Sequence, residues 1–124
     1  SLSHAGDSNA QMQPEWEQML VWYSEQLNYL LDRLAAVPEG DGTMLDNTLV
    51  FAVNELSRGN THSHVNMPFI LAGGAGGRLR TGRYLSYENV SHTELLVSIL
   101  NLVGLETETF GDGRFCRGPL PGLV

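Results

Sequence analysis

The sequence predicts an α/β fold: a sheet of buried strands covered by helices, with too few strands present to complete it. Three observations carry this. Two unbroken apolar runs, at 48–53 and 68–72, have the composition of strands buried on both faces, as in a parallel sheet. Two amphipathic helical patterns flank them, giving the order helix, strand, strand, helix. Typical sheets hold about 4–6 strands, so two or three need neighbours from elsewhere. Residues 1–124 are therefore expected to be one C-terminal segment of a larger α/β domain.

Residues 1–13 are small and polar and read as a loop. A long helix is predicted over 14–37. Pro14 suits a first helical position, where its missing N–H would be unpaired anyway, and Glu15 and Glu17 favour the positive end of the dipole. Trp16, Leu20, Tyr23, Leu27, Leu30 and Leu34 form one apolar stripe. A helix of ~20 residues spans roughly 30 Å, enough to lie across a sheet. Trp16, Trp22 and Tyr23 read as packing residues. Pro38 and Gly40 end the helix, and Gly40-Asp41-Gly42 makes a turn. The strand at 48–53 is followed by a polar loop, 54–67, and by the strand at 68–72. A glycine-rich loop comes next, and 78–87 has room for a further short strand. The second helix is predicted over 91–103, with Ser91 and Glu94 in a capping-box pattern and Gly104 at its end. The tail, 106–124, is rich in Gly and Pro and reads as an extended packed arm.

Composition narrows the function classes. The chain has 14 acidic and 7 basic residues, a net charge of −7, which argues against a nucleic-acid footprint. All the basic residues are arginine. No run of about 18 apolar residues marks a membrane span. The start has neither the charged nor the apolar part of a signal peptide. The single cysteine, Cys116, excludes an internal disulfide and a multi-cysteine zinc site.

The most informative stretch is Asn54-Glu55-Leu56-Ser57-Arg58-Gly59-Asn60-Thr61-His62-Ser63-His64. It follows a buried strand, and in open α/β sheets ligands bind beyond the carboxyl ends of the strands. Glu55 offers a hard oxygen ligand. In an extended segment His62 and His64 would point to one side. Together they could hold a divalent cation such as zinc or manganese. The competing reading makes them loop histidines bonded to backbone carbonyls, with Glu55 a solvated charge. Arg58 could clamp an anionic oxygen or be a surface arginine; Asn60 could contact the oxyanion or simply take a left-handed turn. His4 is a remote ligand candidate or a terminal residue, and His92 a first-turn surface residue. Gly73-Gly74-Ala75-Gly76-Gly77 matches no phosphate-loop pattern; its backbone N–H groups could bind an anion, but the loop reads as structural. Asn89-Val90-Ser91 fits a glycosylation pattern, but Ser91 already has a capping role.

A set of motifs in order adds a resemblance. They are Ser3-His4-x-Gly6-Asp7, Tyr29-Leu30-Leu31-Asp32-Arg33-Leu34, Asp41-Gly42-Thr43-Met44-Leu45-Asp46-Asn47-Thr48, Gly59-Asn60-x-His62-x-His64-x-x-Met67-Pro68, Leu71-Ala72-Gly73-Gly74, Leu79-x-Thr81-Gly82-Arg83, Phe110-Gly111-Asp112 and Gly118-Pro119-Leu120. Over essentially its whole length the chain resembles the C-terminal part of the bacterial domain of unknown function family 1552. That family looks like a distant branch of the alkaline phosphatase and sulfatase-like superfamily, with long, typically exported members. The resemblance implies a periplasmic or cell-envelope protein and an alkaline phosphatase-like sheet. It makes His4 the first metal ligand and His62 or His64 the last. Asn54-Glu55 stands where the superfamily has Asp-His at a strand end: Glu55 can still ligate a metal, whereas Asn54 is a poor substitute. The superfamily's nucleophile lies near the start of its domain, so none is assigned here and this chain alone is expected to be inactive. Two functions follow. One is metal-dependent hydrolysis of phosphate or sulfate esters, with Glu55, His62 and His64 as ligands and Arg58 or Asn60 at the oxyanion. The other is a non-catalytic α/β assembly module of an exported protein with a degenerate metal site. The expected partner in both is the polypeptide upstream of Ser1.

Overall fold

The structure, a computed structural model, describes His4 and residues 13–124. It is a mixed α/β arrangement with two small antiparallel sheets of two strands each. The predicted loop at 1–13 falls outside the described residues except at His4 and Gln13, and both have helical backbone. Helix α1 runs Gln13–Ala35. Strands β1 (Pro38–Glu39) and β2 (Gly42–Thr43) pair around the Gly40–Asp41 turn, where Gly40 takes φ +59°. The short helix α2 is Met44–Asn47. Strands β3 (Val50–Val53) and β4 (Phe69–Ala72) form the second sheet, and helix α3 (His92–Leu102) and a 3-10 turn (Gly113–Phe115) follow.

Two expectations about the sheet are corrected. β3 and β4 are antiparallel, in the register Val50↔Ala72, Phe51↔Leu71, Ala52↔Ile70 and Val53↔Phe69. Residues 54–68 therefore make a hairpin connection, not the helical crossover that parallel strands need. The strands are also only half covered. The register puts Phe51, Val53, Phe69 and Leu71 on one face. Phe51, Phe69 and Leu71 pack against Leu95 of α3 and Leu120 and Leu123 of the tail. On the other face Ile70 is 53% exposed. The region 78–87 contains no strand.

Helix α1 departs further from expectation. It has no buried residue, and its main contact in the fold is with α2. Trp22 and Tyr23, expected in packing, are exposed and meet edge to face with ring centroids 5.1 Å apart. The Phe51–Leu71 face of the sheet is filled by α3 and the tail, and α1 packs on α2 and leaves the other face, with Ile70, exposed.

Local signals explain the joints. Asp46 Oδ2 accepts the Thr43 N–H at 2.7 Å and the Thr43 hydroxyl at 2.8 Å, which starts α2. Those two donors hold the Asp46 carboxyl below the ordinary aspartate value of 3.8. A depressed folded-state value means stability that is present above the unfolded value and lost as pH falls through the folded one. Asp46→Asn should therefore lower stability at neutral pH, with the difference from the parent shrinking below pH about 3.8. Chemical denaturation at a series of pH values reads this directly, and a difference independent of pH would refute it.

At α3 the cap is simpler than a full capping box. Ser91 Oγ accepts from Thr93 N at 3.3 Å, and the Glu94 N–H goes to the Ser91 carbonyl at 3.1 Å. The helix closes in a Schellman arrangement: Leu105 N–H donates to Leu100 O at 2.9 Å and Gly104 N–H to Asn101 O at 3.1 Å. Gly104 at φ +87° makes that geometry possible.

Candidate metal centre

The loop leaving β3 folds back on itself. Ser57 N–H donates to Ser63 O at 2.8 Å and Ser63 N–H to Arg58 O at 3.2 Å, closing a small hairpin with Gly59, Asn60 and Thr61 at its tip. Ser57 Oγ adds a bond to Ser63 O at 3.0 Å, and Val65 N–H donates to Ser63 Oγ at 3.2 Å. His62 sits at the end of this turn with φ +52°. Histidine tolerates the left-handed region better than most residues, but it is uncommon there.

That backbone conformation overturns one premise. The segment is not extended at His62, so His62 and His64 do not present their rings by simple strand alternation. The left-handed residue expected at Asn60 is His62 instead, with Asn66 at φ +56° following.

The turn projects His62 toward His4. Their Nε2 atoms are 3.1 Å apart, with ring centroids at 5.2 Å and planes at 79°. Both rings are exposed. Of the candidate residues, these are the two brought into contact, across 58 positions of sequence. Glu55, Arg58, Asn60 and His64 are exposed elsewhere in the same loop. Among the described residues, no group of three or more His, Cys, Asp or Glu side chains is placed to share a metal ion.

The glycine-rich loop has a different use. The N–H groups of Gly74, Ala75 and Gly76 donate to the carbonyls of Leu45, Thr48 and Asp46 at 3.0, 3.1 and 2.9 Å. Those donors tie the end of β4 to α2 and are already satisfied, so they do not form an anion cradle.

Three side chains hold the tail, Arg83, Tyr87 and Ser98; from the sequence, Tyr87 and Ser98 had no such role and Arg83 was named only within a motif. The Gly-Pro-Leu-Pro-Gly run at 118–122 was the available signal. Such a segment pairs poorly with a sheet and needs side-chain donors for its carbonyls. No helix among the described residues is long and apolar enough to cross a membrane. No protein-family model, curated protein or solved structure matches the chain.

Proposed function

We propose that this chain is the C-terminal part of a metal-dependent, alkaline phosphatase-like domain acting on phosphate or sulfate esters, as its resemblance to domain of unknown function family 1552 implies. The observation that carries the reading is the His4–His62 pair. Two nitrogens 3.1 Å apart suit one cation held about 2.0–2.1 Å from each, the usual zinc–imidazole distance. The donor set therefore fits zinc or manganese. His4 and His62 would hold the ion; Glu55 and His64, the other ligand types on this loop, are not grouped with that pair among the described residues, so the remaining ligands would have to come from elsewhere. A bound cation supplies a Lewis acid that polarises the ester oxygen. Arg58 and Asn60, on the same hairpin, are the donors nearest in sequence for an anionic ester oxygen. The nucleophile, and the strands that complete the sheet, belong to the polypeptide upstream of Ser1, and export to the periplasm or cell envelope follows from the same resemblance.

Asn54-Glu55 favours a second reading, a non-catalytic assembly module with a degenerate site. A strand end that carries Asn where the superfamily carries Asp has lost a charged ligand. Metal analysis of the complete protein separates the two. Stoichiometric zinc or manganese is expected, falling when His62→Ala and His64→Ala are combined. Unchanged metal content in that variant would sink the ligand assignment, and a metal-free parent would favour the assembly module.

A further inference from the structure

The end of α2, the glycine-rich loop and the last turn of α3 meet around an open cleft of about 330 Å³, at the small end of the size range of small-molecule sites. Its apolar lining is Leu49, Ala75, Leu102 and Val103, and its polar side chains are Asn47 and Arg78. Leu102 and Ala75 are buried, at 2% and 8% exposure, whereas Val103 is half exposed. None of these residues belongs to the candidate metal centre.

Both polar groups are held in place. Arg78 Nη1 donates to Leu102 O at 3.1 Å, a carbonyl of the last turn of α3. Gly104 leaves room for the guanidinium, since a Cβ there would lie 3.3 Å from Nη1. That bond uses one of five N–H donors and fixes the planar fork at the cleft. Among the described residues no carboxylate pairs with Arg78. Asn47 Nδ2 donates to Glu39 Oε2 at 2.7 Å, which leaves the amide oxygen as an acceptor.

We propose that this cleft is a binding site for a small organic monocarboxylate. The carboxylate pairs with the remaining donors of Arg78, and the apolar body of the ligand lies on Leu49, Ala75, Leu102 and Val103. The choice of ligand follows from both halves of the site. One guanidinium fork matches one carboxylate bidentately. A phosphate or sulfate ion would use the same fork but leave the apolar lining in water. A neutral apolar molecule would cover the lining and leave the fork unused. Asn47 adds an acceptor for a hydroxyl or N–H group on the ligand.

Benzoate and benzamide, alike in shape but not in charge, are the probes. In 15N–1H spectra of the parent chain, benzoate should shift the amides of Ala75, Gly76, Leu102 and Val103 saturably. Benzamide and inorganic phosphate should each bind about tenfold more weakly or less. Arg78→Gln should weaken benzoate about tenfold or more, and Arg78→Lys, which keeps the charge without the fork, should fall between. Absence of saturable shifts, shifts confined to other residues, equal affinity for benzoate and either comparison probe, or unchanged binding by a folded Arg78→Gln variant overturns the proposal. Arg78→Gln also removes a bond to the end of α3. If circular dichroism shows it unfolded, Val103→Glu, which sets a like charge beside the carboxylate at a half-exposed position, should weaken benzoate to a similar extent. Unchanged benzoate affinity in that variant overturns the proposal equally.

Discussion

Gly73→Ala will lower stability by about 3 kcal/mol or more, among the largest effects of any single substitution in this chain. Two terms act together. Gly73 holds φ +89°, a conformation that an L side chain adopts only with strain. A Cβ built there would also collide with the Thr48 carbonyl and press on Leu45 O at 3.0 Å. Both obstacles are backbone, so they cannot swing aside as a flexible side chain would. Nor can the loop shift freely, because the adjacent N–H groups of Gly74, Ala75 and Gly76 are committed to the carbonyls of residues 45, 48 and 46. Gly76→Ala is the control. Gly76 has φ +67° but open space around its would-be Cβ, so it keeps only the strain, about 1–2 kcal/mol. Urea denaturation of both variants measures the difference. Equal losses would show that the close approach to Thr48 is not what confines residue 73 to glycine.

Leu102→Ala should cost about 2–5 kcal/mol. Leu102 is 2% exposed and is the largest of the fully buried side chains. It packs with Ala75 and Leu79, with Leu49 and Leu71 alongside. It thereby joins the last turn of α3 to the glycine loop and to the sheet. Truncation removes contacts with the glycine loop and the sheet at once and leaves a cavity between them. Against a typical total of about 5–15 kcal/mol, the loss is a large fraction of the folding free energy. Val103, one residue on and 53% exposed, should tolerate alanine within about 0.5 kcal/mol. A Leu102→Ala variant as stable as Val103→Ala would mean that the cluster around Leu102 is not a core.

Periodicity was the informative signal in the sequence. The 3.6-residue stripe placed helices at 14–37 and 91–103, where the structure has Gln13–Ala35 and His92–Leu102. The two apolar runs marked the positions of β3 and β4. Strand direction was not legible from them, because an apolar run records burial and carries nothing about the partner's orientation. One clue was present: residues 54–68 show no helical pattern, and a parallel pair needs a crossover of a dozen or more residues, usually helical. The α1 stripe misled for a related reason. A stripe shows that a helix has something apolar to cover but not which surface it meets; here α1 packs on α2, and Leu120 and Leu123 fill the sheet face.

The candidate site was legible as a list and not as a geometry. Residue type and position beyond a strand pointed to Glu55, His62 and His64. Their grouping rested on an extended backbone that the left-handed turn at His62 removes. The contact of His62 with His4 had no local sequence signal at all. Long-range juxtaposition of this kind depends on the path of the whole intervening chain.

That juxtaposition has a topological consequence. The His4–His62 contact closes a loop of 58 residues. In chain-entropy terms, a link closing a loop of that length restricts the unfolded ensemble by about 4 kcal/mol. Anything that grips both imidazoles is therefore a removable cross-link as well as a ligand. Its release would return that freedom to the stretch containing α1 and β3.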